Sequence, residues 1–302
     1  MARVVFLGTP PAAAISLDAL VGAGHDVALV VSRADTRRGR GADPSPTATK
    51  HAALDLGLEV TDDLDDVVAT GAELGVVVAY GRLIPGRILD VVPMVNVHFS
   101  LLPRWRGAAP VERAVLAGDE ETGVCVMRLE QGLDTGPVLA SVRVPIDAHE
   151  HVGPLTDRLA MAGARLLVDT LAPGVAALGP GVAQEGDATY APKILTEELR
   201  LDWDRPATEL ERVVRLDRAW TTFRGERLLV LDARARPAPG DDHHAEAGRA
   251  GTLEGTTVRT GDGVLELMEV QPAGKRPMTA SAWRRGVRVP AGETLGHDEA
   301  PR

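Results

Sequence analysis

Arg3-Val-Val-Phe-Leu-Gly8 opens the chain. The apolar stretch 11–23 follows, then a second run, Val27–Ser32. After Arg3 the first run is continuously apolar and stops at glycine, as a strand covered on both faces does. Leu17, Leu20 and Val21 stand at helical spacing in the stretch between. Strand, helix and strand within about thirty residues make a βαβ unit, and that unit requires a parallel sheet. The turn after the first strand, Gly8-Thr-Pro-Pro, lacks the G-x-G-x-x-G spacing of a dinucleotide site. Its prolines also remove the backbone donors that would hold a pyrophosphate.

Working outward, 33–46 is a long loop rich in Arg, Gly, Pro and Asp. A helix is expected over about 47–56 and a short strand over 58–60. Leu74–Tyr80 is a strongly apolar strand closed by Gly81, and Val95–His98 is a further one. Ala109–Ala117 is expected as a helix with Pro110 in its first turn, where a missing N–H costs nothing. Thr122–Leu129 and Val138–Val144 are expected as strands joined by the loop Glu130–Pro137. Leu155–Leu171 is a helix interrupted in composition only by Gly163. After about residue 190 the pattern changes. One helix, 207–216, precedes short strands at Leu228–Ala233, Gly251–Leu253, Thr257–Thr260, Val264–Val270 and Val287–Val289. Short strands without helices between them suggest a small barrel or sandwich. The expected organisation is therefore α/β over 1–190, a linker over 191–205, and a mostly β domain over 206–302.

The composition agrees with two globular domains in 302 residues, 44% of them apolar and only 3% aromatic. The cores must then be built from Ala, Val and Leu. No run of about 18 apolar residues is present, so no membrane span is expected. The first residues carry no signal-peptide pattern. A single cysteine, Cys125, excludes an internal disulfide and reads as a buried core thiol. Together these imply a cytoplasmic protein. The net charge of −10 argues against a broad nucleic-acid surface, yet two segments are locally basic. One holds Arg33, Arg37, Arg38 and Arg40; the other, 272–290, holds Lys275, Arg276, Arg284, Arg285 and Arg288 without an acid. Either can be solvated surface or can meet a polyanion by local field.

Asn96 and His98 are the polar residues of an otherwise apolar strand. Being two apart, they share a face. At the carboxyl end of a parallel strand that face borders the place where open α/β sheets bind ligands. An amide beside an imidazole suits acyl transfer to an amine. The amide can donate to the developing oxyanion, a contribution of about 3–4 kcal/mol. The imidazole can stabilise the same charge or take the amine proton. The loop Glu130-Gln-Gly132-Leu-Asp134-Thr-Gly136-Pro can bring Asp134 to orient His98. A structural histidine, a turn asparagine and an Asx-turn aspartate would leave the same trace. No metal site is expected: His149 and His151 flank Glu150 without a third ligand at workable spacing.

Long segments resemble the folate-dependent formyltransferases. These are Phe6-Leu-Gly-Thr-Pro10, Val77-Val-Ala-Tyr-Gly81 with Ile84-Pro85, Asn96 through Pro110, and Gly132-Leu-Asp134-Thr-Gly136. The resemblance implies a Rossmann-like formyltransferase domain with a mostly parallel sheet, followed by a small OB-like β-barrel. It implies catalytic roles for Asn96, His98 and Asp134. It also implies a 10-formyltetrahydrofolate site at Ser100, Leu101, Leu102 and Pro103, with Gly81, Arg82, Leu83 and Ile84 lining the pterin. Trp203 with Pro206–Arg215, and Gly261 through Met278, are similar to the branch that formylates initiator methionyl-tRNA. That branch implies tRNA contacts at Arg37, Arg38, Arg40, Lys275 and Arg276, no metal, and a monomer. Where the family usually has Asn-Pro-Trp-Pro, this chain has Asp217-Arg-Ala-Trp220. The alternatives are a formyltransferase for a nucleotide-sugar amine and a non-catalytic RNA-binding protein on the same scaffold.

Overall fold

Arg3–Gly8 is buried from Val4 onward and pairs in parallel on both edges, with Asp26–Val31 and with Leu74–Val78. The apolar run Val4–Leu7 must be covered on both faces, and parallel sheets provide that cover. The computed structural model describes residues 1–37, 43–237, 249–288, 290 and 292–296. It divides into two units. The first comprises Met1–Val111, Glu120–Ile146 and Leu155–Lys193; the second comprises Glu112–Asp119, Asp147–Pro154 and Ile194–Arg302.

The sheet of the first unit has seven strands, in the order Val138–Pro145, Glu121–Arg128, Met94–His98, Leu74–Val78, Arg3–Gly8, Asp26–Val31 and Val60–Thr61. The last five run parallel. The first two form an antiparallel hairpin added at the Met94–His98 edge. Val5, Leu7, Leu29, Val31, Val77 and Met94 pack on one face with Leu64, Val67, Tyr80 and Ile88. On the other face Val97 and Val124 lie under the helix Val152–Leu171. A Cβ at Gly163 of that helix would come within 3.0 Å of Val97 Cγ1 and 3.2 Å of Val124 Cγ1. Glycine lets the helix press onto the sheet, which offsets its low helix propensity of about 1 kcal/mol.

The second unit is an antiparallel sheet in the order Trp220–Phe223, Glu226–Arg236, Val264–Pro272, Thr257–Arg259 and Leu253–Glu254, with Met278–Thr279 also on Val264–Pro272. Its core joins Trp203, Leu210, Val214, Val230, Leu265 and Trp283. Three expectations need correction here. No ladder among the described residues closes this sheet into a barrel. The gap between its edge strands is spanned by 293–296 instead: Gly296 N–H donates to Thr222 O at 2.9 Å and Leu295 N–H to Gly251 O at 2.8 Å. Val287 is not in a strand but ends the helix Ala280–Val287, whose cap is Thr279 Oγ1 accepting from Ala282 N–H at 3.3 Å; Val289 lies outside the described residues. Finally, 191–205 is no free linker. Leu199, Leu201 and Trp203 are buried, and Trp203 Nε1–H donates to Thr221 Oγ1 at 3.1 Å.

Among the described residues no helix is long and apolar enough to cross a membrane. Trp203→Ala should cost about 3–5 kcal/mol in urea unfolding, the range for a large buried aromatic. A linker residue would cost a few tenths, and such a result would contradict this placement.

Candidate active site

The strand Met94–His98 lies between Leu74–Val78 and Glu121–Arg128. Asn96 stands opposite Val77 on one neighbour and Met127 on the other; His98 stands opposite Cys125. Because i and i+2 share a face, Asn96 and His98 lie on the side of the sheet that carries Met94 and Val77. Both are buried, at 8% and 5% exposure. The Asn96 amide is not among the fully enclosed polar atoms left without a partner among the described residues. An amide on this face can donate a hydrogen bond to an oxygen brought to it.

His98 is held by the turn that follows it. Ser100, fully buried, donates through Oγ to the Arg104 carbonyl at 2.5 Å. The Leu102-Pro103 peptide is cis, and Trp105 adopts the left-handed region at φ 62°. The Trp105 N–H donates to Thr189 Oγ1 at 2.9 Å, and its carbonyl lies 2.8 Å from His98 Nε2. A carbonyl only accepts, so Nε2 carries the hydrogen. That turns Nδ1 toward Asp134.

Asp134 Oδ2 is 3.7 Å from His98 Nδ1, too far for a hydrogen bond but close enough for electrostatic interaction. Its direct partner is the backbone: Gly107 N–H donates to Oδ2 at 2.8 Å. Asp134 itself is left-handed, with φ 51°. Gln184 Nε2 lies 2.8 Å from the carbonyls of both Asp134 and Gly136.

The other expected site residues divide between the two units. Ser100 shapes the turn, while Leu101, Leu102 and Pro103 are half-buried beside it. Gly81, Arg82 and Leu83 are exposed, Leu83 at 85%, and Ile84 packs against the core under the sheet. A Cβ on Gly86 would lie 2.8 Å from Gln131 Nε2, so this loop closes on the Asp134 loop. Lys275 and Arg276, in the second unit, are exposed in a turn fastened by Lys275 N–H to Pro272 O at 3.0 Å. The Arg37 backbone pairs with Pro44; its side chain, Arg38 and Arg40 lie outside the described residues. Sequence reasoning missed Thr189 and Gln184. They stand in an aperiodic stretch and act mainly on backbone atoms, which leaves no residue pattern to find.

The model of the formyl transferase family matches residues 2–171, and that of the formyl transferase C-terminal domain matches 193–288. The chain belongs to the formyl transferase family. A methionyl-tRNA formyltransferase of Ruegeria pomeroyi is 43% identical to it, over 97% of this chain and all of that one. One from Dinoroseobacter shibae is 45% identical over 96% and 99%. An N-formyltransferase of Helicobacter canadensis, solved with folinic acid and dTDP-3-aminofucose, shares the fold at a TM-score of 0.68. It is 16% identical, over 91% of this chain and 100% of that one.

In this formyl transferase Cys125, across from His98, is not poised as a nucleophile. Burial pushes its thiol pKa up, and a hydrogen bond with the Leu102 backbone offsets this only in part. At pH 8 the native protein should therefore leave Cys125 unlabelled by an aromatic disulfide reagent, with full labelling once urea unfolds it. Rapid stoichiometric labelling of the native form would contradict that burial.

Proposed function

We propose that the chain transfers the formyl group of 10-formyltetrahydrofolate to the α-amine of initiator methionyl-tRNA. The observation that carries the chemistry is the Asn96 amide on the same strand face as His98, whose ring is oriented by the Trp105 carbonyl. The acceptor is supported by relatives above 40% identity, named methionyl-tRNA formyltransferase, that this chain matches over nearly their full length. The folate carrier is supported by the folinic acid bound to the Helicobacter canadensis enzyme, together with the resemblance at Ser100–Pro103.

In this reading the amine nitrogen attacks the formyl carbon, and the carbonyl electron pair moves onto oxygen. Asn96 donates to that oxyanion, and His98 borders it. The amine gives up a proton as the carbon–nitrogen bond to the folate breaks, and the folate nitrogen leaves protonated. Asp134 supplies negative charge near His98 and keeps it facing the reacting atoms. Lys275 and Arg276 meet tRNA phosphates, as Arg37, Arg38 and Arg40 do in the basic loop.

The test supplies labelled formyl donor with charged initiator tRNA, elongator methionyl-tRNA and a nucleotide-sugar amine side by side. Transfer to the initiator is expected; transfer to the sugar amine alone sinks the tRNA assignment. Asn96→Ala should lower kcat by about 10²–10³-fold, the range for losing an oxyanion donor, with both KM values nearly unchanged. A wild-type rate removes Asn96 from the chemistry. Replacing Lys275 and Arg276 together with alanine should weaken tRNA binding and reduce the slope of log affinity against log salt by roughly 2. An unchanged slope moves the phosphate contacts elsewhere.

A further inference from the structure

Gln184 is bonded at every position its amide offers. Its Nε2 has two hydrogens, and two carbonyls, those of Asp134 and Gly136, lie 2.8 Å away. Its Oε1 accepts from Arg106 Nε at 3.0 Å and Arg106 Nη2 at 2.6 Å. The guanidinium can only donate and the carbonyls can only accept, so the amide has one orientation. The flipped form would set NH₂ against the guanidinium and oxygen against two carbonyls.

These bonds form a ring around Asp134. Its carboxylate is held by the N–H of Gly107. The neighbouring residue, Arg106, holds Gln184, and Gln184 returns to the Asp134 carbonyl. Two residues earlier the same segment is fixed by reciprocal 2.8 Å bonds between Val182 and Val138. At Gly136 the loop also packs closely: a Cβ there would sit 2.0 Å from the Arg128 carbonyl. Asp134 keeps a left-handed backbone that a non-glycine residue rarely adopts. Such a conformation persists only where its surroundings over-determine it.

We propose that Gln184 is a positioning residue of the active site: it sets the backbone of the Asp134 loop so that the carboxylate faces His98. The proposal rests on Asp134 serving the formyl transfer argued above. Gln184 is not placed to touch the reacting atoms, so its loss should act on turnover rather than on substrate affinity. Gln184→Glu separates its two sides. That change keeps an acceptor for Arg106 but removes both donors and turns a carboxylate toward two carbonyl oxygens.

The experiment compares the full-length chain with Gln184→Ala, Gln184→Glu, Asp134→Ala and the double variant Gln184→Ala/Asp134→Ala. Hydrogen exchange across 130–137 and initial rates with both substrates are measured for each. Both Gln184 variants should speed exchange in 130–137 while leaving peptides of the parallel strands unchanged. They should lower kcat by roughly 10- to 100-fold, the scale of a small misplacement of a catalytic group. Each KM should stay within about twofold, and Gln184→Ala should add nothing in the Asp134→Ala background. Unchanged loop exchange overturns the proposal. So does a wild-type kcat in Gln184→Glu, or an equal kcat loss with and without Asp134. Failure of the underlying reading shows separately, as a wild-type chain that transfers no formyl group or an Asp134→Ala variant with full kcat.

Discussion

The 2.8 Å contact between His98 Nε2 and the Trp105 carbonyl is the interaction on which the site depends. It fixes the imidazole on the face that Asn96 shares and directs Nδ1 to Asp134. The carbonyl can be there only because Trp105 holds a left-handed backbone, braced by Thr189 through its N–H and by the Ser100–Arg104 bond that closes the preceding turn. The next two residues, Arg106 and Gly107, pair with Tyr190 and Ala191. Gly107 then supplies the N–H that holds the Asp134 carboxylate. One turn after one parallel strand thus orients both the imidazole and the carboxylate.

The sheet beneath makes this arrangement rigid. Asn96 and His98 alternate with Val95 and Val97, whose side chains are buried under the helix carrying Gly163. A one-residue slip would turn both polar groups into that helix contact, so burial on the far side fixes register on the near side.

Much of this was legible from residues. The apolar runs at 3–7, 27–32 and 74–80 announced a parallel sheet because nothing polar interrupts them. The i, i+2 spacing of Asn96 and His98 by itself places them on one face. The bracing was not legible. Thr189 lies 84 residues from Trp105 and Gln184 lies 50 from Asp134, and the atoms they meet there are backbone N–H and carbonyl groups that every residue carries. In the second unit, two valines flanking Arg288 at 287–289 do not distinguish strand from helix end, and the Thr279 cap with buried Trp283 decides for helix. Likewise a break in periodicity after 190 resembled a linker, although Leu201 and Trp203 anchor a core there.

The proposed chemistry turns on Asn96 as the donor to the reacting oxygen. The most direct measurement is a crystal structure of the chain with a stable formylated folate analogue and a methionyl-adenosine acceptor analogue. The formyl oxygen is expected about 2.7–3.1 Å from Asn96 Nδ2, the distance of a working oxyanion donor, with His98 still on the Trp105 carbonyl. A formyl oxygen directed away from Asn96, with the amide bonded to protein instead, would contradict it.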